Sequence, residues 1–224
     1  MEKIIITDTI NGDYNCANLP KKYDKPEYNQ SVTFTLKHMS IINRLLYLNK
    51  ALETHYKNWQ NLVDFPQIDN SSNFNLLKSA LKQKEWQRNL INNYYEQEEI
   101  IMHLRKTIDD CISLLSIATN CFFKDKKNNI LRPFESIGEC INQIGKYKIF
   151  TPHLNYLKTI NAISNGFKHC IANNTMHKIG KEEPCIFVYE KNGLYYNEIG
   201  ISINNLIIGF NEFYATFDSK LKEE

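Results

Sequence analysis

The sequence from Phe74 to Phe123 contains neither glycine nor proline over about fifty residues. These two residues most often end helices and make turns, and the whole chain has only 8 glycines and 6 prolines among 224 residues. The stretch therefore predicts one very long helix, or two that join near Asn92 and Asn93. Its second half carries apolar residues at close to heptad spacing, as in a bundle helix: Ile100, Leu104, Ile108, Ile112 and Leu115.

Further helices are predicted on both sides of this stretch. Apolar residues recur every three or four positions from Thr33 until Phe65-Pro66 ends the pattern. The segment Asn70-Ser71-Ser72-Asn73 offers side chains that cap the next helix. Pro133 is expected to open a short helix that runs to Ile144 and closes at Gly145, and Pro152 a longer one that runs to about Ala172.

The pattern changes after Gly180. Two β-prone runs, 185–190 and 194–203, flank Asn192-Gly193, which is a strong hairpin signal. Lys3 to Thr9 is also predicted as a strand, one that can join the hairpin as a third. A last helix follows, with apolar residues at steps of four, three, four and four: Leu206, Phe210, Phe213, Phe217 and Leu221. We therefore expect a mainly α protein, a helical bundle with a small β-hairpin before its C-terminal helix.

No domain boundary is evident, so residues 1–224 are predicted to form a single domain. It comprises a strand and loop (1–30), a helical bundle (31–180), a hairpin (184–203) and a terminal helix (204–222). No apolar run approaches the roughly 18 residues of a membrane span. The six cysteines are spread without a Cys-x-x-Cys pair, which is typical of reduced thiols in a cytoplasm.

Strong catalytic signatures are absent from the sequence. It has no glycine-rich phosphate loop, and none of the His-Glu-x-x-His or Glu-x-x-His motifs that bind metals. Glu99 and His103 lie one helical turn apart, but such a pair is more often a surface contact than a metal site. Asp109-Asp110 would complete a cluster only if another helix supplied ligands. We therefore predict no metal and no cofactor.

Positive charge is concentrated in one segment, residues 121–181, which we call the basic segment. It holds ten basic residues against the three acidic residues Asp125, Glu135 and Glu139, a net of 10 − 3 = +7, whereas the whole chain carries +2. Such a surface can face phosphates. The alternative is a solvated face whose charge is balanced by the acidic remainder of the chain.

The basic segment contains the most informative stretch, Ile160 to Ile171. If it is helical, apolar residues from Leu157 to Ile171 fall on one side, while Asn165, His169 and Lys158 fall on the opposite side. An exposed imidazole beside an amide can act as general acid or base on a ribose hydroxyl, and Lys158 or Lys168 can steady a phosphate. The alternative is an ordinary polar helix face. Gly166, inside the helix, indicates a close approach of another chain segment.

The run from Ser164 to His169 resembles the Arg-Asn-x-x-x-His motif of HEPN-type proteins, which are small helical bundles of toxin–antitoxin and phage-defence systems. Asn165 and His169 match the motif, while Ser164 stands where the family has Arg and lacks the bidentate phosphate contact of a guanidinium. The resemblance implies a homodimer with Asn165 and His169 at its seam. Members with the full motif are commonly metal-independent ribonucleases; those without it tend to be binding modules.

Three functional hypotheses follow from the sequence. The first is a cytoplasmic, non-catalytic component of a bacterial stress or defence system that binds RNA or a cognate protein, with Lys158, Ser164 and Lys168 as candidate phosphate contacts. The second is a ribonuclease that uses His169 and Asn165, with a lysine in place of the family arginine. The third is an adaptor whose Tyr195-Tyr196 hairpin docks on another protein.

Overall fold

The computed structural model describes residues 1–6, 30–63, 73–119, 121–124, 131–143, 148–169, 182–192 and 195–223. Its α-helices are α1 (Gln30–Val63), α2 (Asn73–Ala118), α3 (Ile137–Asn142), α4 (Leu154–His169) and α5 (Ile203–Glu223), with a 3-10 helix over Lys148–His153. The short strands β1 (Phe122–Lys124) and β2 (Leu131–Pro133) pair with each other, as do β3 (Cys185–Asn192) and β4 (Tyr195–Ser202). The prediction of a mainly α protein with a small hairpin before the last helix is confirmed.

The stretch without glycine or proline forms the single helix α2, 46 residues long. It passes through Asn92 and Asn93 without a break, so the one-helix alternative is the observed one. The heptad residues Ile100, Leu104, Ile108, Ile112 and Leu115 are all buried, as expected for a bundle helix.

Pro133 does not open a helix, so that prediction is wrong. It is the last residue of β2 and lies opposite Phe122 of β1 in a short antiparallel ribbon that the sequence pattern did not predict. Helix α3 begins later, at Ile137, where the Ser136 hydroxyl caps it by accepting a hydrogen bond from the Glu139 backbone N–H at 3.3 Å. The expected end at Ile144 and Gly145 lies outside the described residues.

Residues 3–6 are not a strand, and the described residues 1–6 add no third strand to the hairpin; residues 7–9 of the predicted strand lie outside the described part of the chain. Side-chain amides hold the described segment instead. Asn49 of α1 accepts from the Ile4 N–H at 2.9 Å and donates to the Ile4 carbonyl at 3.1 Å. Asn211 of α5 does the same for the Ile5 N–H and the Lys3 carbonyl. These bonds use the backbone groups that strand pairing would require.

The predicted hairpin forms over 185–192 and 195–202, with Cys185 opposite Ser202 and Asn192 opposite Tyr195. The chain enters α5 directly after β4, and the Ile203 N–H donates to the Pro184 carbonyl at 3.0 Å. Leu206, Phe210, Phe213 and Phe217 of α5 are all buried, as their spacing predicts.

The chain divides into two compact units, and α1, α2, α4 and α5 each contribute residues to both. Unit 1 comprises Met1, Lys50–Met102 and Ala162–Leu206; unit 2 comprises Glu2–Asn49, His103–Asn161 and Ile207–Glu224. The core of unit 1 includes Leu52, Trp59, Leu90, Ile163 and Val188. The core of unit 2 includes aromatic rings of α5 and the 3-10 helix; for example, Phe150 and Phe213 have ring centroids 4.7 Å apart. No described helix has the length and apolar character that crossing a membrane requires.

Candidate functional site

Helix α4 presents its apolar residues as the sequence predicts. Leu157, Ile160, Ile163 and Phe167 are buried, while Lys158 and Lys168 are exposed. Asn165 is half-buried. His169 is the last residue of α4, and its side chain lies outside the described residues, as does Ile171. The prediction that Asn165 and His169 share an accessible face therefore stays a prediction.

Ser164 lies inside unit 1, with 0% of its surface exposed. A phosphate in solvent cannot contact a hydroxyl at this depth, so the structure does not favour the RNA contact expected of Ser164. Its neighbour Phe167 is also buried and packs against Tyr94 of α2, with ring centroids 5.4 Å apart. Ser164 and Phe167, two positions of the run Ser164 to His169, therefore belong to the packed interior of unit 1.

Gly166 marks a close backbone approach, as the sequence indicates, and the approaching segment is β3. A Cβ atom at Gly166 would lie 2.9 Å from the Tyr189 carbonyl oxygen and 3.3 Å from two carbons of Val188. Such distances are shorter than ordinary van der Waals contact, so a side chain would force the helix away from the strand. The packing of the hairpin on α4 accounts for this glycine without any ligand.

Charges in the described part of the basic segment are arranged unevenly. Arg132 lies 2.5 Å from a Glu139 carboxylate oxygen and 3.5 Å from one of Glu135, with its guanidinium 4.6 Å from the centroid of the Phe123 ring. Arg132 thus pairs with both described acidic residues of the segment and compensates part of their charge. Four lysines of the segment are exposed and make no ion pair with described residues: Lys124, Lys148, Lys158 and Lys168.

Both carboxylates of the acidic pair Asp109-Asp110 contact other groups of the protein. Lys37, Arg44 and Lys106 surround the buried Asp110 carboxylate, and the Arg44 contact measures 2.9 Å. Asp109 accepts a hydrogen bond from the Ile137 N–H at 2.7 Å, at the start of α3, and burial raises its pKa above the ordinary value. The described residues contain no group of three or more side chains suited to hold a metal.

Unit 1 also contains a polar cluster that the sequence pattern did not single out. The His55 Nδ1 of α1 lies 3.0 Å from a carboxylate oxygen of Glu96 of α2, and the Asn58 amide donates to the other oxygen at 2.5 Å. Burial raises the pKa of Glu96, but the two hydrogen bonds and the nearby imidazole together lower it by more. The pKa of Glu96 therefore lies below its ordinary value. The two partners are 41 residues apart, and a lone His and a lone Glu give no signal that they meet.

The second nitrogen of His55 has unusual surroundings. The residue is 1% exposed, and its Nε2 is buried without a hydrogen-bond partner among described groups, as is the Oδ1 atom of Asn93, one turn from Glu96. A carboxylate that orients one imidazole nitrogen leaves the other available for proton transfer. The imidazole has no access to solvent, however, so in this conformation His55 can fix α1 to α2 but cannot reach a substrate.

Comparison with known proteins finds no match among family models, curated proteins or solved structures.

Proposed function

We propose that this chain is a non-catalytic, HEPN-like component of a bacterial stress or phage-defence system, and that its basic segment binds RNA. One observation carries the proposal. Within the described part of that segment, Arg132 pairs with both acidic residues, while Lys124, Lys148, Lys158 and Lys168 are exposed and make no ion pair with described residues. Exposed cations without protein partners release counterions when they contact phosphates, and this term dominates RNA affinity.

The non-catalytic part of the proposal rests on the motif-like stretch of α4. The family's arginine would hold the scissile phosphate, yet Ser164 at that position is buried. Gly166 and Phe167 pack against β3 and Tyr94. Among the described side chains of Ser164 to Lys168, those of Asn165 and Lys168 reach solvent. This arrangement suits binding better than cleavage.

RNA binding is tested by fluorescence anisotropy with labelled, mixed-sequence single-stranded RNA in EDTA. The double variant Lys148→Glu/Lys158→Glu should weaken binding at least about tenfold, because reversal of exposed charge removes attraction to phosphates. The dependence of log affinity on log salt should flatten by roughly 0.7 for each phosphate that the variant no longer neutralises. The matched control Lys50→Glu/Lys57→Glu reverses two exposed lysines of α1 outside the segment and should bind normally. Equal weakening in both double variants, or no binding by the wild type, would refute the proposal.

The second candidate function is a metal-independent ribonuclease. The half-buried Asn165 beside the exposed Lys168 favours it, since an amide and a cation three residues apart can both face a phosphate. The same RNA, incubated in EDTA, should then be cleaved by the wild type and left intact by His169→Ala and Asn165→Ala. Cleavage with this pattern would replace the non-catalytic proposal. Binding of the RNA without cleavage would support the non-catalytic proposal.

A further inference from the structure

The N-terminal part of α2, within unit 1, exposes an apolar stripe. Leu77, Leu81, Ile91 and Tyr95 are 61%, 61%, 49% and 61% exposed. With Lys84 and Arg88 they follow steps of four, three, four, three and four residues. At about 100° per residue the six positions fall within an arc of roughly 80° and extend over roughly 27 Å. We call these six residues the α2 stripe.

The opposite side of the same helix is buried or half-buried and combines polar residues with apolar ones, among them Leu90, Trp86 and Tyr94. Its buried residues between 75 and 97 are Ser79, Leu90, Asn93 and Gln97. The Gln97 amide donates to the Cys185 carbonyl of β3 at 3.0 Å, and Glu96 binds His55. A helix that only completes its own bundle places leucines inward and amides outward. Here leucine and isoleucine side chains are exposed while two amides are buried, which indicates that the α2 stripe has a partner of its own.

The charges around the stripe are mostly positive. Lys84 and Arg88 occupy its centre, Lys78 and Lys82 lie nearby, and all four are exposed and form no ion pair with described residues. Glu85 is the acidic residue among them. A partner must therefore offer apolar side chains at both ends of the contact and negative charge in the middle.

We propose that the α2 stripe binds an acidic amphipathic helix of a protein partner, with leucine-like side chains in heptad spacing and carboxylates facing Lys84 and Arg88. Such a helix fits an exposed heptad stripe in the manner of a coiled coil. A second copy of the chain fits poorly, because antiparallel pairing sets Lys84 against Arg88 and parallel pairing sets each cation against itself. Single-stranded RNA prefers aromatic stacking platforms, whereas three of the four apolar residues of this stripe are aliphatic and only Tyr95 is aromatic.

The test uses the full chain and two synthetic helical peptides. Both carry leucine at the outer heptad positions, and the two central positions hold glutamate in the acidic peptide and lysine in the basic one. The acidic peptide should bind at least about tenfold more tightly, because two attractive contacts replace two repulsive ones. In the variant Lys84→Glu/Arg88→Glu the preference should invert. Leu81→Glu should weaken both peptides, since it places a charge in the apolar contact.

These substitutions lie on an exposed face, so unchanged circular dichroism and unfolding midpoints will show that the variants fold. Lys148→Glu/Lys158→Glu serves as the matched control and should bind the acidic peptide normally, which keeps this result separate from RNA binding by the basic segment. Equal affinity for both peptides overturns the proposal. So does a wild-type dimer, in light scattering, that Leu81→Glu converts to a monomer. Loss of RNA or anionic phosphatidylglycerol vesicle binding in Leu81→Glu, without a peptide preference, would assign the stripe to those ligands instead.

Discussion

Helices α2 and α5 carry residues at the same spacing, but this stripe is buried in α5 and exposed in α2. Leu206, Phe210, Phe213 and Phe217 of α5 follow steps of four, three and four, and all are buried. The α2 stripe repeats these steps, yet its apolar members are about half exposed or more. Periodicity therefore identifies which residues share a face, whereas the chemistry of the rest of the helix determines whether that face is buried.

The residues between the apolar positions differ in the two helices. In α5 the buried stripe is apolar throughout and mostly aromatic, and Tyr214 stacks on Phe210 with ring centroids 5.8 Å apart. In α2 the middle of the stripe holds Lys84 and Arg88, whose charge is costly to bury without a partner. Two cations at heptad positions are thus the sequence signal of the exposed face.

The largest effect should come from a matched pair of leucine truncations. Leu206→Ala in α5 removes a side chain that is 1% exposed and should lower the free energy of unfolding by about 2–5 kcal/mol, since it leaves a cavity. Leu81→Ala on the α2 stripe should change it by less than about 0.5 kcal/mol. Urea unfolding followed by circular dichroism measures both. Comparable losses would mean that the stripe is part of the fold.

The next effect concerns the buried side of α2. Gln97→Met keeps much of the side-chain volume but removes the amide that donates to the Cys185 carbonyl, so the free energy of unfolding should fall by about 1–3 kcal/mol. Gln87→Met, on the exposed surface of the same helix, is the control and should be nearly neutral. A Gln97→Met protein as stable as the wild type would show that apolar packing alone holds this side.

Much of the fold was predictable because its signals are local. The spacing in α5, the long run of α2 and the β-prone runs around Asn192 each lie within a few turns or one hairpin. The errors involve distant partners. Residues 3–6 look like a strand, but Asn211, 208 residues from Lys3, accepts and donates the bonds that a strand would use.

The candidate site shows the same division between local and distant information. The sequence predicts the apolar face of α4 as far as Phe167 and a close approach at Gly166, and both are observed. It does not predict that β3 is the approaching segment or that Ser164 is buried, because both depend on how the hairpin packs. The roles of Asn165 and His169 stay predictions for the nuclease assay.

The smallest effect is a pH dependence of the contact between α1 and the buried side of α2. Because the pKa of Glu96 lies below its ordinary value, the carboxylate stabilises the folded state above about pH 4.5, and this contribution is lost as the pH falls through the folded-state pKa. Glu96→Gln keeps an acceptor for the His55 Nδ1–H and should cost about 0.5–1.5 kcal/mol at neutral pH.

The stability difference between the wild type and Glu96→Gln should therefore shrink as the pH is lowered, because the wild-type carboxylate becomes protonated. Glu85→Gln, on the exposed surface of the same helix, provides the control and should show no such trend. Urea midpoints measured from neutral pH to about pH 3 give both curves. A difference that stays constant over this range would mean that the carboxylate charge of Glu96 does not contribute, and that neutral hydrogen bonds alone hold α1 against the buried side of α2.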